Sequence, residues 1–177
     1  MITIDGGTGK IMHNGVEVAS EKMVDNWYVN AELQPGSGTN TITDNWERGT
    51  SAQFGSVGSA MTQSSGIFTF PSTGIYYCSI NGGFFRGTGY RRYVGFTIQT
   101  TSDNGSNFTS AATNYDSISG DTNDNISAAM SVTFVFDVVN TSTHKVRFQT
   151  EASDSGTSIT STGDRRLSVL FMRMGDT

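Results

Sequence analysis

Residues 64–80, SSGIFTFPSTGIYYCSI, spell out a strand, a proline turn and a second strand. Ile67, Phe68 and Phe70 precede Pro71-Ser72-Thr73-Gly74, and Ile75, Tyr76, Tyr77 and Ile80 follow it. Pro71 fixes its φ and brings no N–H to a ladder, so it closes the first strand. Gly74 lends a permissive backbone to the start of the second. A chain organised around such a unit is a sheet protein. Its composition agrees, with 21 glycines against 2 prolines and only 15% charged residues in 177. Such usage describes short strands joined by many turns, in a chain long enough to bury a substantial core.

Alternation places the other strands. Val94, Phe96 and Ile98 alternate with Gly95, Thr97 and Gln99, and Val132, Phe134, Phe136 and Val138 alternate with polar neighbours. One face of each is therefore buried. Val146 and Phe148 mark a shorter strand, and residues 53–57 a weaker one. Residues 36–40 (GSGTN) read as a flexible linker or turn. Residues 103–125 read as a long polar loop anchored by Phe108, Tyr115 and Ile118. One helix is expected over 20–31, where Met23, Val24, Trp27 and Tyr28 recur at helical spacing behind Ser20. The aromatics there suit a strand equally well.

Two segments are apolar on both faces. In 167–174 (LSVLFMRM), Leu167, Val169 and Phe171 point one way, and Leu170, Met172 and Met174 the other. In 75–80, Ile75 and Tyr77 oppose Tyr76, Cys78 and Ile80. Strands of this kind lie mid-sheet and need a cover on each side. That cover is either a further copy of the chain or an arm or loop of the same chain.

Residues 1–43 read as an arm and 44–177 as the main domain. Ile2 and Ile4 alternate with Thr3, and Ile11 and Met12 lead into Asn14-Gly15, a strong two-residue hairpin signal followed by Val16 and Val18. Such small strands are not stable alone. Ile2, Ile4, Ile11, Met12, Val16 and Val18 are therefore expected to dock the arm on another surface. The alternative is an edge hairpin packed on its own barrel.

Catalytic chemistry finds no constellation in the sequence. His13 sits beside the hairpin turn and His144 in a polar stretch; neither belongs to a metal or nucleophile motif. Cys78 is the single cysteine, so no intrachain disulfide exists, and its apolar run makes it a buried hydrophobe. Asp121 and Asp124 lie in a turn-like run, 121–125, that offers oxygens to calcium but lacks a terminal bidentate Glu. Gly6-Gly7-Thr8-Gly9-Lys10 lacks P-loop spacing. We therefore expect no enzyme, cofactor or metal site. A net charge of -5 argues against nucleic acid as a partner. No segment has the roughly 18 apolar residues of a membrane-spanning helix. The N-terminal residues do not read as a secretory leader. One basic, aromatic cluster stands out in residues 82–93 (GGFFRGTGYRRY). Phe85, Arg86, Tyr90, Arg91 and Arg92 there are candidate ligand contacts, since Tyr and Arg are hot-spot residues that also stack on sugars. The plainer alternative is a turn whose arginines neutralise acidic neighbours across a subunit seam.

The segment Phe68-Thr69-Phe70-Pro71-Ser72-Thr73-Gly74-Ile75-Tyr76 resembles the F-T-x-P-x-x-G-x-Y signature of the tumour-necrosis-factor and complement-one-q superfamily. The resemblance covers residues 44–174. It implies an all-β, two-sheet antiparallel jelly-roll sandwich with the signature joining two inner strands, behind a short N-terminal β-hairpin arm. It also implies a homotrimer, with Tyr76, Tyr77, Phe148, Phe171 and Met172 as the trimer contacts. An arm of the form Gly6-x-x-Gly9-Lys10-Ile11-x-x-Asn14-Gly15 ahead of a jelly-roll head looks like capsid decoration, head-fibre or fibre-knob proteins of bacteriophages. That likeness implies a virion location, major capsid or other virion proteins as partners, and a host surface glycan as a further one. A soluble trimeric receptor- or glycan-binding module of the same fold is the alternative.

Overall fold

The computed structural model describes residues 1–4, 11–14, 16–17, 22–50, 55–86, 89–120, 126–159 and 165–177. These residues form strands and turns, with no helix among them. Strands β1 (Ile2–Ile4), β2 (Ile11–His13) and β3 (Val16–Glu17) pair with one another as a small antiparallel sheet. The remaining strands are β4 (Met23–Val29), β5 (Gly38–Thr41), β6 (Trp46–Arg48), β7 (Thr62–Ser64) and β8 (Ile67–Thr69). After them come β9 (Gly74–Arg86), β10 (Arg91–Thr101), β11 (Thr109–Ile118), β12 (Ile126–Val138), β13 (Lys145–Ala152) and β14 (Leu167–Gly175). They build two antiparallel sheets. A five-stranded sheet runs β12-β9-β14-β4-β6, and a six-stranded one runs β11-β10-β13-β8-β7, with β5 also on β13.

Aromatic side chains hold the two sheets together. Phe68 of β8 stands 5.5 Å from the Trp27 ring, 5.2 Å from Trp46, 5.6 Å from Phe148 and 5.2 Å from Phe171. Trp27, Trp46 and Phe171 come from one sheet, Phe68 and Phe148 from the other. Beside this cluster, Phe70 packs 4.6 Å from Tyr76 and 5.7 Å from Phe136. Edge and tilted contacts at these distances contribute about 0.5–1.5 kcal/mol per pair beyond the area they bury. The Tyr76 hydroxyl donates to the Ser72 carbonyl at 3.0 Å, so the same core residue fixes the proline turn.

Two charged side chains, Asp25 and Arg91, are buried among the described residues. Asp25 of β4 is buried, and its Oδ1 accepts from Arg48 Nε of β6 at 2.6 Å. Its Oδ2 accepts from Trp27 Nε1 at 3.0 Å and from the Met61 N–H at 2.8 Å. A desolvated carboxylate is tolerated only when its lone pairs are taken up this fully. Here it ties β4, β6 and the approach to β7 into one corner.

Several sequence expectations change. Residues 20–31 hold no helix where described: β4 is a strand, because Met23, Asp25, Trp27 and Val29 face the core with a period of two while β14 pairs alongside. Residues 36–40 are not a free linker, since β5 pairs with β13. The head therefore begins with β4, ahead of residue 44. The expected long loop at 103–125 contains the ten-residue strand β11, at a sheet edge where few apolar residues are needed. The proline turn does not join two strands of one sheet: β8 belongs to the six-stranded sheet and β9 to the five-stranded one, so the chain crosses the sandwich there. Phe54 and its neighbours at 51–54 lie outside the described residues, and Val57 makes an isolated bridge to Val24.

Asp25→Ala is expected to lower the unfolding free energy by about 3 kcal/mol, because Arg48 and the Met61 N–H lose their acceptor. Arg48→Ala should cost at least as much, because it leaves the buried Asp25 carboxylate without its counter-charge, whereas Asp25→Ala leaves an arginine that is partly hydrated. Urea unfolding of the two variants measures both. A second test is the β7-β8 hairpin, whose two-residue turn has φ 50° at Ser65 and 77° at Gly66. A Cβ on Gly66 would sit 2.1 Å from the Ile42 carbonyl oxygen. Gly66→Ala should therefore cost more than the ordinary glycine replacement of about 1 kcal/mol.

Candidate functional site

The outward face of the five-stranded sheet is set by register. Val135 of β12 pairs with Tyr77 of β9, Tyr77 with Met172 of β14, and Met172 with Val24 of β4. These four side chains form a continuous apolar row across the sheet, opposite the core. Ile75, Leu170 and Met174 flank it on the same face. Val135 is 54% exposed and Met174 66%. The next rows are polar: Thr133, Ser79 and Asn26 beside Leu170, then Ser131, Asn81, Ser168 and Tyr28. Beyond them a cavity of about 600 Å³ opens between Phe85, Met130, Arg165 and Arg166. There Arg166 lies 4.7 Å over the Phe85 ring and Arg165 4.8 Å over Tyr28.

Of the five residues expected to meet a neighbouring subunit, Tyr77 and Met172 lie on this outward face. Tyr76, Phe148 and Phe171 do not. All three are fully buried between the sheets of one chain, Phe148 in the sheet opposite β14. The reason is strand alternation: consecutive residues face opposite sides, so Tyr76 and Phe171 turn inward when Tyr77 and Met172 turn outward. Val135 and Val24 complete the row, and only pairing register could have found them.

The opposite sheet presents a different surface. Along its outward side Thr97 meets Thr113 with hydroxyls 3.0 Å apart, and Gln149 donates to Thr41 at 3.1 Å. Arg147 donates to Gln99 at 2.8 Å and lies 4.0 Å over Phe108. The outward side of the six-stranded sheet is polar along these pairs, whereas that of the five-stranded sheet sets an apolar row beside its polar ones.

Four of the five candidate ligand residues come together. Arg86, Tyr90, Arg91 and Arg92 line a cleft of about 470 Å³ with Gly89, Ser153 and Asp154. Phe85 does not join them; it alternates to the outward face of the five-stranded sheet under Arg166. Arg91 is 5% exposed, and its guanidinium reaches Asp154 at 2.6 Å, the Tyr90 carbonyl at 3.0 Å and the Ser155 carbonyl. Its Nε is buried without a hydrogen-bond partner. Arg86 lies 3.7 Å from the same Asp154. These ion pairs form within one chain. Tyr90 is 71% exposed.

Next to the cleft, Arg92 lies 5.3 Å over the Tyr93 ring, and Tyr93 packs edge-on against Tyr115 at 5.7 Å. Gly95 gives the Tyr115 ring its seat, since a Cβ there would come within 2.4 Å of the ring. The Tyr115 hydroxyl donates to Glu151 Oε2 at 2.6 Å. That hydrogen bond, then partial burial and the Glu151 charge, push the phenol up to about 12.

The remaining candidates lie elsewhere in the chain. Ile2 and Met12 belong to the small N-terminal sheet, with Met1 beside it, and Met1 and Ile2 are exposed. Ile4, Ile11 and Val16 are strand residues of it, closed by Met12↔Glu17 and His13↔Val16 across Asn14, whose φ is 52°. Val18 and residues 121–125 lie outside the described residues. Cys78 is buried, and burial pushes its thiol up to about 12, far from a nucleophile's range. His144 packs its ring 5.6 Å from Phe136 and bonds to Thr143.

Ultraviolet titration tests the Tyr115 contact. One phenol should ionise at about 12, and Glu151→Gln should bring it down toward its ordinary value. Because the folded-state pKa is raised, the contribution of this bond to stability is whole below the ordinary tyrosine pKa. It disappears as pH rises through about 12.

Neither a family model nor a curated protein sequence matches the chain. Solved structures do. Murine APRIL in its pH 5.0 crystal form superposes with a TM-score of 0.55 at 12% identity, over 87% of this chain and 100% of that one. Eiger TNF from S. frugiperda superposes with a TM-score of 0.61 at 10% identity, over 89% of this chain and 95% of that one. Likeness at such low identity concerns the path of the backbone. The two antiparallel sheets, with β12-β9-β14-β4-β6 facing β11-β10-β13-β8-β7, make this chain a jelly roll of the tumour-necrosis-factor type.

Proposed function

We propose that this chain is a non-enzymatic structural module that works as a homotrimer and decorates a bacteriophage particle, as a capsid decoration, head fibre or fibre knob. The apolar row Val135, Tyr77, Met172 and Val24 carries the reading. Leaving it in water costs about 25 cal/mol for each Å², and a stable contact between subunits covers roughly 800 Å² per partner. A three-fold arrangement covers the row on every copy at once and closes on itself, so no copy is left with an open patch. The low charge content, 15%, suits a chain that hides surface in an assembly.

The N-terminal sheet serves as the docking device on the particle. It shares no ladder with either head sheet among the described residues, and its strands of two or three residues need a second surface to lie on. A soluble trimeric module binding a receptor or glycan is the second reading, favoured by the cleft of Arg86, Tyr90, Arg91 and Arg92.

Sedimentation equilibrium at micromolar concentration should give three times the 19.0 kDa chain. Tyr77→Asp, which brings a carboxylate into the row three times over, should leave a folded monomer. A wild-type protein that sediments as a single chain would overturn the reading. Removing residues 1–18 should abolish binding to particles that lack the protein while the trimer persists. Unchanged binding would rule the docking role out.

A further inference from the structure

We infer that the cleft lined by Arg86, Tyr90, Arg91 and Arg92 binds a carboxylate-bearing pyranose, a uronic or sialic acid residue of a polysaccharide. The inference rests on the second reading above, that this cleft is a binding site, and is independent of attachment to a particle.

Charge comes first. Three guanidiniums and one carboxylate, Asp154, line the cleft, so it holds an excess of positive charge in a chain whose net charge is -5. Arg91 is held rigidly by Asp154 and two carbonyls while its Nε stays unpartnered in a buried position. Its charge is therefore fixed in place before any ligand arrives, which removes part of the ordering cost of binding. Arg92 is exposed, and its planar fork matches a carboxylate in two parallel hydrogen bonds.

The other groups select a sugar among anions. Tyr90 is 71% exposed at the cleft, and its ring is a flat apolar face for the C–H side of a pyranose. Asp154 is 53% exposed and keeps acceptor capacity toward water, as hydroxyls require. A pyranose brings several hydroxyl donors to that carboxylate, more per residue than an acidic peptide offers. The volume, about 470 Å³, falls in the range of small-ligand sites. Donors, one acceptor and an aromatic face together fit a polyol that carries a negative charge.

Saturation-transfer NMR on the 177-residue chain provides the test. The probes are tetragalacturonate, N-acetylneuraminic acid, carboxyl-reduced tetragalacturonate and a polyglutamate peptide. Tetragalacturonate or N-acetylneuraminic acid should give transfer, and the stronger of the two names the source of the sugar. The carboxyl-reduced form should bind at least tenfold more weakly. Tyr90→Ser and Arg92→Ser alter exposed side chains and should each weaken binding tenfold or more, with an unchanged circular dichroism spectrum. Equal binding of the carboxyl-reduced form would overturn the inference, as would acid-sugar binding that both variants leave intact. Binding of polyglutamate alone, lost in Tyr90→Ser, would overturn the sugar class and leave the binding site standing. No binding by any probe would overturn the inference. Sedimentation of the same samples reports the trimer separately.

Discussion

The sandwich depends on the aromatic contact between its sheets, with Phe68 at the centre. Rings from β4, β6 and β14 meet rings from β8 and β13 there, at centroid distances of 5.2–5.6 Å around Phe68. Once Phe171 and Tyr76 are committed to this interior, the pleat gives their neighbours no choice. Met172 and Tyr77 must face away. The exposed apolar row is thus the other side of the same strands that make the core, and any substitution relieving one face disturbs strands that serve both.

The two outward faces then explain each other. Threonine, glutamine and arginine side chains on the six-stranded sheet bond to one another across the strands, as in Thr97 with Thr113 and Arg147 with Gln99. That sheet needs no further cover. The five-stranded sheet joins an apolar row to polar rows and then to the Arg165–Arg166 cavity, a division along the strand direction rather than across it. Such a face suits close packing of copies at one end and a wetter, cationic opening at the other.

Much of the fold was legible because alternation and turn chemistry speak locally. The strands around Val94 to Ile98, Val132 to Val138 and Leu167 to Met174 appear where the pattern puts them, and the two-faced character of β9 and β14 was visible in the sequence. The helix expected at 20–31 failed because Met23, Val24, Trp27 and Tyr28 fit both periods, and pairing with β14 decided between them. Strand β11 escaped notice because an edge strand needs few apolar residues to be held. At the candidate site, the grouping of Arg86, Tyr90, Arg91 and Arg92 could be read from proximity in sequence. Asp154 and Glu151 could not, being more than 50 residues away. Tyr76 and Tyr77 are both expected at the trimer contact although alternation sets them on opposite faces: sequence shows that two faces exist, and only the partner strands show that Tyr76 faces the interior.

Cys78 has a use that its chemistry alone would not suggest. It sits on β9 between the sheets, pairs in register with Phe134 on one side and Phe171 on the other, and is the single thiol in the chain. An alkylating reagent reaches it only when the layers part. The rate of labelling therefore counts openings that free β9 from its neighbours, without any introduced probe and without a second sulfur to confuse the record.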